Sequence, residues 1–164
     1  MWSPDRRRLL LTLAALPLAG CGFAPVYGTS GGGGALLDAV ALAEPETTDE
    51  YVFNRRFEER LGRGLAGPYR LETTFETSRQ GLGSLADGRT TRYRLLGEVA
   101  FVLREAGSER ALIRGRTDAF TGYSATGSTV ATESAERDAE ERLMILLADQ
   151  VIDRLLIDAE TLPA

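Results

Sequence analysis

The stretch Tyr69-Arg70-Leu71-Glu72-Thr73-Thr74-Phe75-Glu76-Thr77-Ser78 decides the fold. Tyr69, Leu71, Thr73, Phe75 and Thr77 fall on one side of a period-two alternation, and Arg70, Glu72, Thr74, Glu76 and Ser78 on the other. An extended chain with this pattern buries one face and wets the other, as in an antiparallel sheet covered on a single side. Two later stretches repeat it. From Arg89 onward, Tyr93, Leu95, Val99, Phe101 and Leu103 oppose Arg92, Arg94, Glu98 and Arg104. After the turn Ala106-Gly107-Ser108, Ile113, Thr117, Ala119, Thr121 and Tyr123 oppose Arg114, Arg116 and Asp118. Gly97 predicts a bulge or bend in the middle strand. Residues 79–88, with three glycines, predict a mobile loop whose Leu82 and Leu85 could touch a partner wall or acyl chains.

The flanks of these strands change period. Phe53, Phe57 and Leu61 recur every four residues behind a cap at Thr48 or Asp49, and Gly62, Gly64, Gly67 and Pro68 stop that helix. Residues 132–158 contain neither glycine nor proline and predict a long helix. Its first half turns Ala135 and Ala139 inward and carries Glu133/Arg137 and Asp138/Arg142 pairs four apart. Its second half, from Leu143 to Ile157, is apolar over more than one stripe, so either the sheet and first helix bury all of it or part faces a partner. Residues 36–43 predict a first strand, weakened by its alanines and ended by Pro45. The expected fold is therefore α+β, in the order β-α-β-β-β-α: a two-layer sandwich in which two helices pack on one face of a mixed, mostly antiparallel four-stranded sheet.

Upstream, Arg6, Arg7 and Arg8 precede a short apolar run and then Leu18-Ala19-Gly20-Cys21. A cationic head, an apolar segment too short for a permanent span and small residues before a cysteine form an export signal of lipoprotein type, with residues 1–20 removed and Cys21 lipidated. Two or more acyl chains at Cys21 would make a stable anchor. Gly22, in place of an aspartate, points toward the outer membrane. The arginines suit the general secretory or the twin-arginine route. Residues 21–35, with Pro25 and four consecutive glycines, read as a flexible tether, in which Phe23, Pro25, Val26 and Tyr27 form either a plain spacer or a short docking segment. Residues 36–164 then form a single domain, within a size that supports one core.

Composition narrows the function. Removing residues 1–20, which hold Asp5 and three arginines, takes the formal charge from −5 to −7, which argues against a general nucleic-acid binder. All 19 basic residues are arginine, there is no histidine, and the only cysteine is Cys21. The commonest metal ligands and acid–base groups are absent, and no nucleophile elbow or phosphate-cradling loop is found, so no catalytic, metal or cofactor site is expected. Arg92, Arg94, Arg114 and Arg116, with Arg89 at the strand start, would project from the wet face, where guanidinium groups could pair with phosphate or with a partner's acids. Ordinary solvated strands, with Glu72, Glu76 and Glu98 as cross-strand partners, would show the same pattern.

The element order, the lipobox Leu18-Ala19-Gly20-Cys21, the run Cys21-Gly22-Phe23-Ala24-Pro25-Val26-Tyr27-Gly28 and the stretch Ala135-Glu136-Arg137-Asp138-Ala139-Glu140 before an apolar helix together resemble the lipopolysaccharide-assembly lipoprotein family LptE, in particular its alphaproteobacterial branch. The resemblance implies a non-enzymatic outer-membrane subunit, on the periplasmic side with its domain inside the lumen of a large LptD-type β-barrel. There it would plug the barrel, aid its assembly and could bind lipopolysaccharide. A different reading is a peripheral lipoprotein serving an inner-membrane lipid transporter.

Overall fold

The computed structural model describes residues 32–85, 88–159 and 162; the export signal, Cys21 and the tether up to residue 31 lie outside these. Regular structure begins within the stretch read as tether, with a 3-10 helix over Gly32–Leu36 that drives Leu36 fully into the core. The first strand, β1, is correspondingly shorter than expected, Val40–Leu42. It is followed by α1 (Thr48–Leu61), β2 (Tyr69–Ser84), β3 (Thr90–Glu105), β4 (Ala111–Ser124) and α2 (Thr129–Asp158).

The sheet runs β1-β2-β3-β4. β1 pairs parallel to β2 and the other pairs are antiparallel, as expected of a mixed sheet. Both helices lie on the face that carries Tyr69, Leu71, Leu95, Val99, Phe101, Leu103, Ile113 and Tyr123, and all of these are buried. Phe53 and Phe57 of α1 are fully buried, with Phe53 edge-on to Phe75 of β2. Burying a side chain of this size stabilises by roughly 1.5–3 kcal/mol, so these two anchor α1 to the sheet.

The local devices differ from the expected ones in four places. Thr47, not Thr48 or Asp49, caps α1: its Oγ1 accepts from the Glu50 amide at 3.2 Å, while the Glu50 carboxylate accepts from the Glu46 amide at 2.7 Å. Ser128 caps α2, so this helix starts three residues before the predicted point. Gly97 is not a bulge. The register runs evenly through it, opposite Thr77 and Ala119, and an added Cβ would come 2.9 Å from Leu147 Cδ1 and 3.0 Å from Leu143 Cδ2, so the glycine makes room for α2. The register shifts instead fall at Gly81/Gly83 and Gly83/Ser84 of β2 and at Leu103/Arg104 of β3.

Residues 79–84 are the fourth difference: this part of the expected loop is the end of β2, paired with β3, and just beyond it the Leu85 amide donates to the Arg89 carbonyl. The apolar surplus of α2 is mostly absorbed, since Leu143, Met144, Leu147, Ala148, Val151, Ile152 and Leu155 are buried, whereas Leu146 and Ile157 stay exposed. An ion-pair seam joins the two helices above the core. Arg56 and Arg60 both reach Asp149, at 2.9 and 3.1 Å, Arg60 also reaches Asp153 and Arg55 reaches Glu141. Burial alone would raise the Asp149 carboxyl above its ordinary range, but the two guanidinium groups outweigh it and hold the group below.

Candidate functional site

The face of the sheet that no described helix covers is built by the even-numbered residues of the three long strands. Cross-strand register sorts them into rows. At one end, Arg92 lies opposite Gly83 and Ser124, and Arg94 opposite Gln80 and Gly122. Next comes the row Ser78, Leu96, Phe120, then the acidic row Glu76, Glu98, Asp118. Beyond it, Arg116 shares a row with Thr74 and Ala100, and Arg114 with Glu72 and Val102.

The four arginines do project from one face, as the alternation predicted, but they are not one patch. Arg94 and the Ala100 row that holds Arg116 are six positions apart along β3, about 20 Å at the rise of an extended strand. Arg94 stacks its guanidinium 5.0 Å from the Phe120 ring centroid, and Arg116 pairs with Glu98 at 3.1 Å. Arg92 and Arg114 are exposed, and so is Arg89 just before β3. The face is therefore banded, with positive ends and a negative belt beside an exposed aromatic ring. A shallow depression of about 410 Å³ lies over the belt, lined by Glu76, Leu96, Glu98, Asp118 and Phe120. Beyond the arginine end, the hairpin carries Leu82 and Leu85, each about half exposed.

Arg79 stands outside the set of arginines expected at the site. Placed in a loop by its neighbouring glycines, it instead continues the inward parity of β2 and lies at the rim of the helix layer. Its guanidinium donates to Glu136 of α2 at 2.5 Å and to the Tyr123 hydroxyl at 3.4 Å, and sits 5.3 Å from the Tyr93 ring centroid. Tyr93 and Tyr123 stack beneath it at 5.2 Å. The signal was present: counting by twos from Tyr69 reaches position 79. A cleft of about 240 Å³ opens beside it, lined by Asp49, Glu136, Glu140, Leu143 and Met144 among others. Burial, reinforced by the charges of Asp49 and Glu136, raises the Glu140 carboxyl above its ordinary range, against the opposing pull of Arg79.

Among the described residues no cluster of three acidic, histidine or cysteine side chains is placed to hold a metal ion, and no helix is long and apolar enough to cross a membrane. The described residues thus offer a charged, banded sheet face and an exposed hairpin.

Solved structures share this architecture. A protein described as a lipoprotein from Caulobacter crescentus superposes with a TM-score of 0.66 at 19% identity, covering 81% of this chain and 98% of its own. The minor lipoprotein of Acinetobacter baumannii gives 0.55 at 21% identity, covering 77% of this chain and 94% of its own. Rare lipoprotein B of Shewanella oneidensis gives 0.53 at 15% identity, covering 74% and 94%. At these identities the likeness is one of fold. No curated protein sequence matches the chain. The family model for LptE, lipopolysaccharide assembly, matches residues 37–155, from the turn before β1 to near the end of α2. That span covers most of the chain and all four strands, so this protein belongs to the LptE family of non-enzymatic, cofactor-free lipoproteins of lipopolysaccharide assembly.

Proposed function

We propose that this chain is a lipid-anchored outer-membrane subunit of the lipopolysaccharide translocon, tethered through Cys21, whose domain enters the lumen of a large LptD-type β-barrel, plugs it and assists its assembly. The observation that carries the reading is the uncovered sheet face. A wide barrel has a polar lumen, and a rigid two-layer domain that leaves one broad face banded with charge can meet such a wall through many solvated contacts while its other face holds the core. Arg89, Arg92, Arg94, Arg114 and Arg116 serve this contact in one of two ways, by pairing with lipopolysaccharide phosphates or with acids of the lumen. Separation of Arg92/Arg94 from Arg114/Arg116 means that one phosphate cannot bridge both pairs. Leu82 and Leu85 at the hairpin end supply an apolar contact beyond the charged bands.

Depletion of the chain tests this. The expected result is a fall in correctly assembled barrel, read as its heat-modifiable band in unboiled gels, together with loss of lipopolysaccharide from the cell surface. Normal barrel levels with normal surface lipopolysaccharide after full depletion would contradict the proposal and favour the accessory of an inner-membrane lipid transporter.

A further inference from the structure

We infer that the open sheet face docks on one wall of the barrel lumen, against a strand whose inward side chains run acid, apolar, base, the complement of the bands they meet. The inference rests on the reading of this domain as seated in a barrel and names what the barrel presents to it. Along β3 the rows of the open face follow one another at every second residue: Arg94, then Leu96 beside Phe120, then Glu98 between Glu76 and Asp118. A barrel strand alternates its lumen-facing residues with the same period, and sheets packed face to face in the aligned manner keep their strands within about 30° of each other. Rows of the two surfaces therefore match one to one over several positions.

The charges left over on the face fix the sign required at each row. Arg116 pairs with Glu98, whereas Glu76 and Asp118, on either side of it, make no ion pair among the described residues. Arg94 rests on the Phe120 ring, and neither it nor the exposed Arg92 and Arg114 makes an ion pair among the described residues. Carboxylates set between guanidinium groups call for a pattern in the partner rather than for a net charge. Lipid phosphates suit the arginine ends and are repelled by the belt, so an arginine or lysine of a protein wall is the occupant that satisfies the whole face. Its aliphatic stem lies in the depression of about 410 Å³, against Leu96 and the 63% exposed Phe120, and its charged head reaches the belt. Beyond the export signal, residues 21–31, 86–87 and 160–164 hold neither arginine nor lysine, so the cation comes from another molecule. The bands also fix the register. A slip of one row toward the far end would set the wall's base against Arg116, and a slip of two would set its acid against Glu98. Charge complementarity of this kind rejects wrong alignments more than it adds affinity, so the face determines how deeply the domain sits in the lumen.

The test uses the full-length lipoprotein in its own membrane. A photo-crosslinking aromatic residue replaces Phe120, and its adduct is digested to locate the linked position. The expected adduct is with the barrel, on a strand whose lumen-facing residues read acid, apolar, base around that position. Asp118→Arg, shown by thermal melts to be folded, should lower the barrel recovered with the purified chain by roughly fivefold or more. Changing the located basic residue to glutamate, in a barrel that still assembles, should restore the recovery. If crosslinkers at Leu82 and Arg92 link to the barrel while the one at Phe120 does not, the inference falls and the seating in the lumen stands. If none of the three links to a barrel, both fall. Linkage of Phe120 to lipopolysaccharide or to residues 21–31 of the same chain would overturn the inference, as would undiminished recovery with Asp118→Arg or a charge exchange that fails to restore it.

Discussion

The two faces of the sheet follow the same period-two rule, yet one is fixed by volume and the other by register. On the covered face, Val99, Phe101 and Leu103 have essentially no exposed surface, and even a glycine, Gly97, is there because a methyl group would strike two leucines of α2. On the open face, Leu96, Phe120, Arg94 and Glu98 meet water, and what distinguishes one position from the next is which side chain stands across from it. The difference separates two kinds of information. Burial follows from each residue's own hydrophobicity, while the charge bands exist only once three strands are aligned.

Truncating one phenylalanine on each face should separate the two most strongly. Phe57→Ala on the covered side should cost about 3–5 kcal/mol in urea unfolding, because α1 loses a fully buried anchor and leaves a cavity. Phe120→Ala, a residue of the same size on the open side, should cost under about 1 kcal/mol, mainly the Arg94 contact. Similar losses at both positions would mean that the open face is covered in solution.

Asp149→Asn probes the seam above the covered face. The Asp149 carboxyl is held below its ordinary range in the folded chain, so its contribution is present above the unfolded value of about 3.9 and is lost as pH falls through the folded value. The substitution should cost about 1–2 kcal/mol at neutral pH, a figure reduced for the partial exposure of all three partners. It should also flatten the loss of stability as pH falls below about 4, followed by thermal melts.

Glu140→Gln should give the smallest change and the opposite sign. A carboxyl raised in the folded state opposes folding once pH exceeds its unfolded value of about 4.3. Its replacement should stabilise the neutral protein by under about 1 kcal/mol, given solvent screening at the cleft mouth, and the gain should vanish in acid. A destabilised variant at pH 7 would show that Glu140 accepts a contact worth more than its burial costs.

The sequence carried the fold well where one signal dominated. Alternation from Tyr69 fixed the inward and outward sets of β2, and the Phe53, Phe57, Leu61 spacing placed α1. It failed where glycine has two meanings. Gly81 and Gly83 looked like loop residues and hid both the length of β2 and the inward position of Arg79, whereas Gly97 looked like a bend and proved to be a packing site. The candidate site was legible residue by residue and not as an arrangement. Arg92, Arg94, Arg114 and Arg116 were assigned to the correct face, but their division by an acidic belt depends on the pairing of Glu76, Glu98 and Asp118 across strands far apart in the chain. Of the two pairs expected along α2, Asp138 and Arg142 do meet, while Arg137 bends back to the Glu133 carbonyl.

Contact of the open face and its hairpin with a barrel can be read by site-specific photo-crosslinking in living cells, with the crosslinker placed at Leu82, at Arg92 and, as a buried control, at Leu147. Leu82 and Arg92 should yield an adduct with a large outer-membrane β-barrel protein, and Leu147 none. Adducts from Leu82 and Arg92 with an inner-membrane transporter, or none with any barrel, would contradict it.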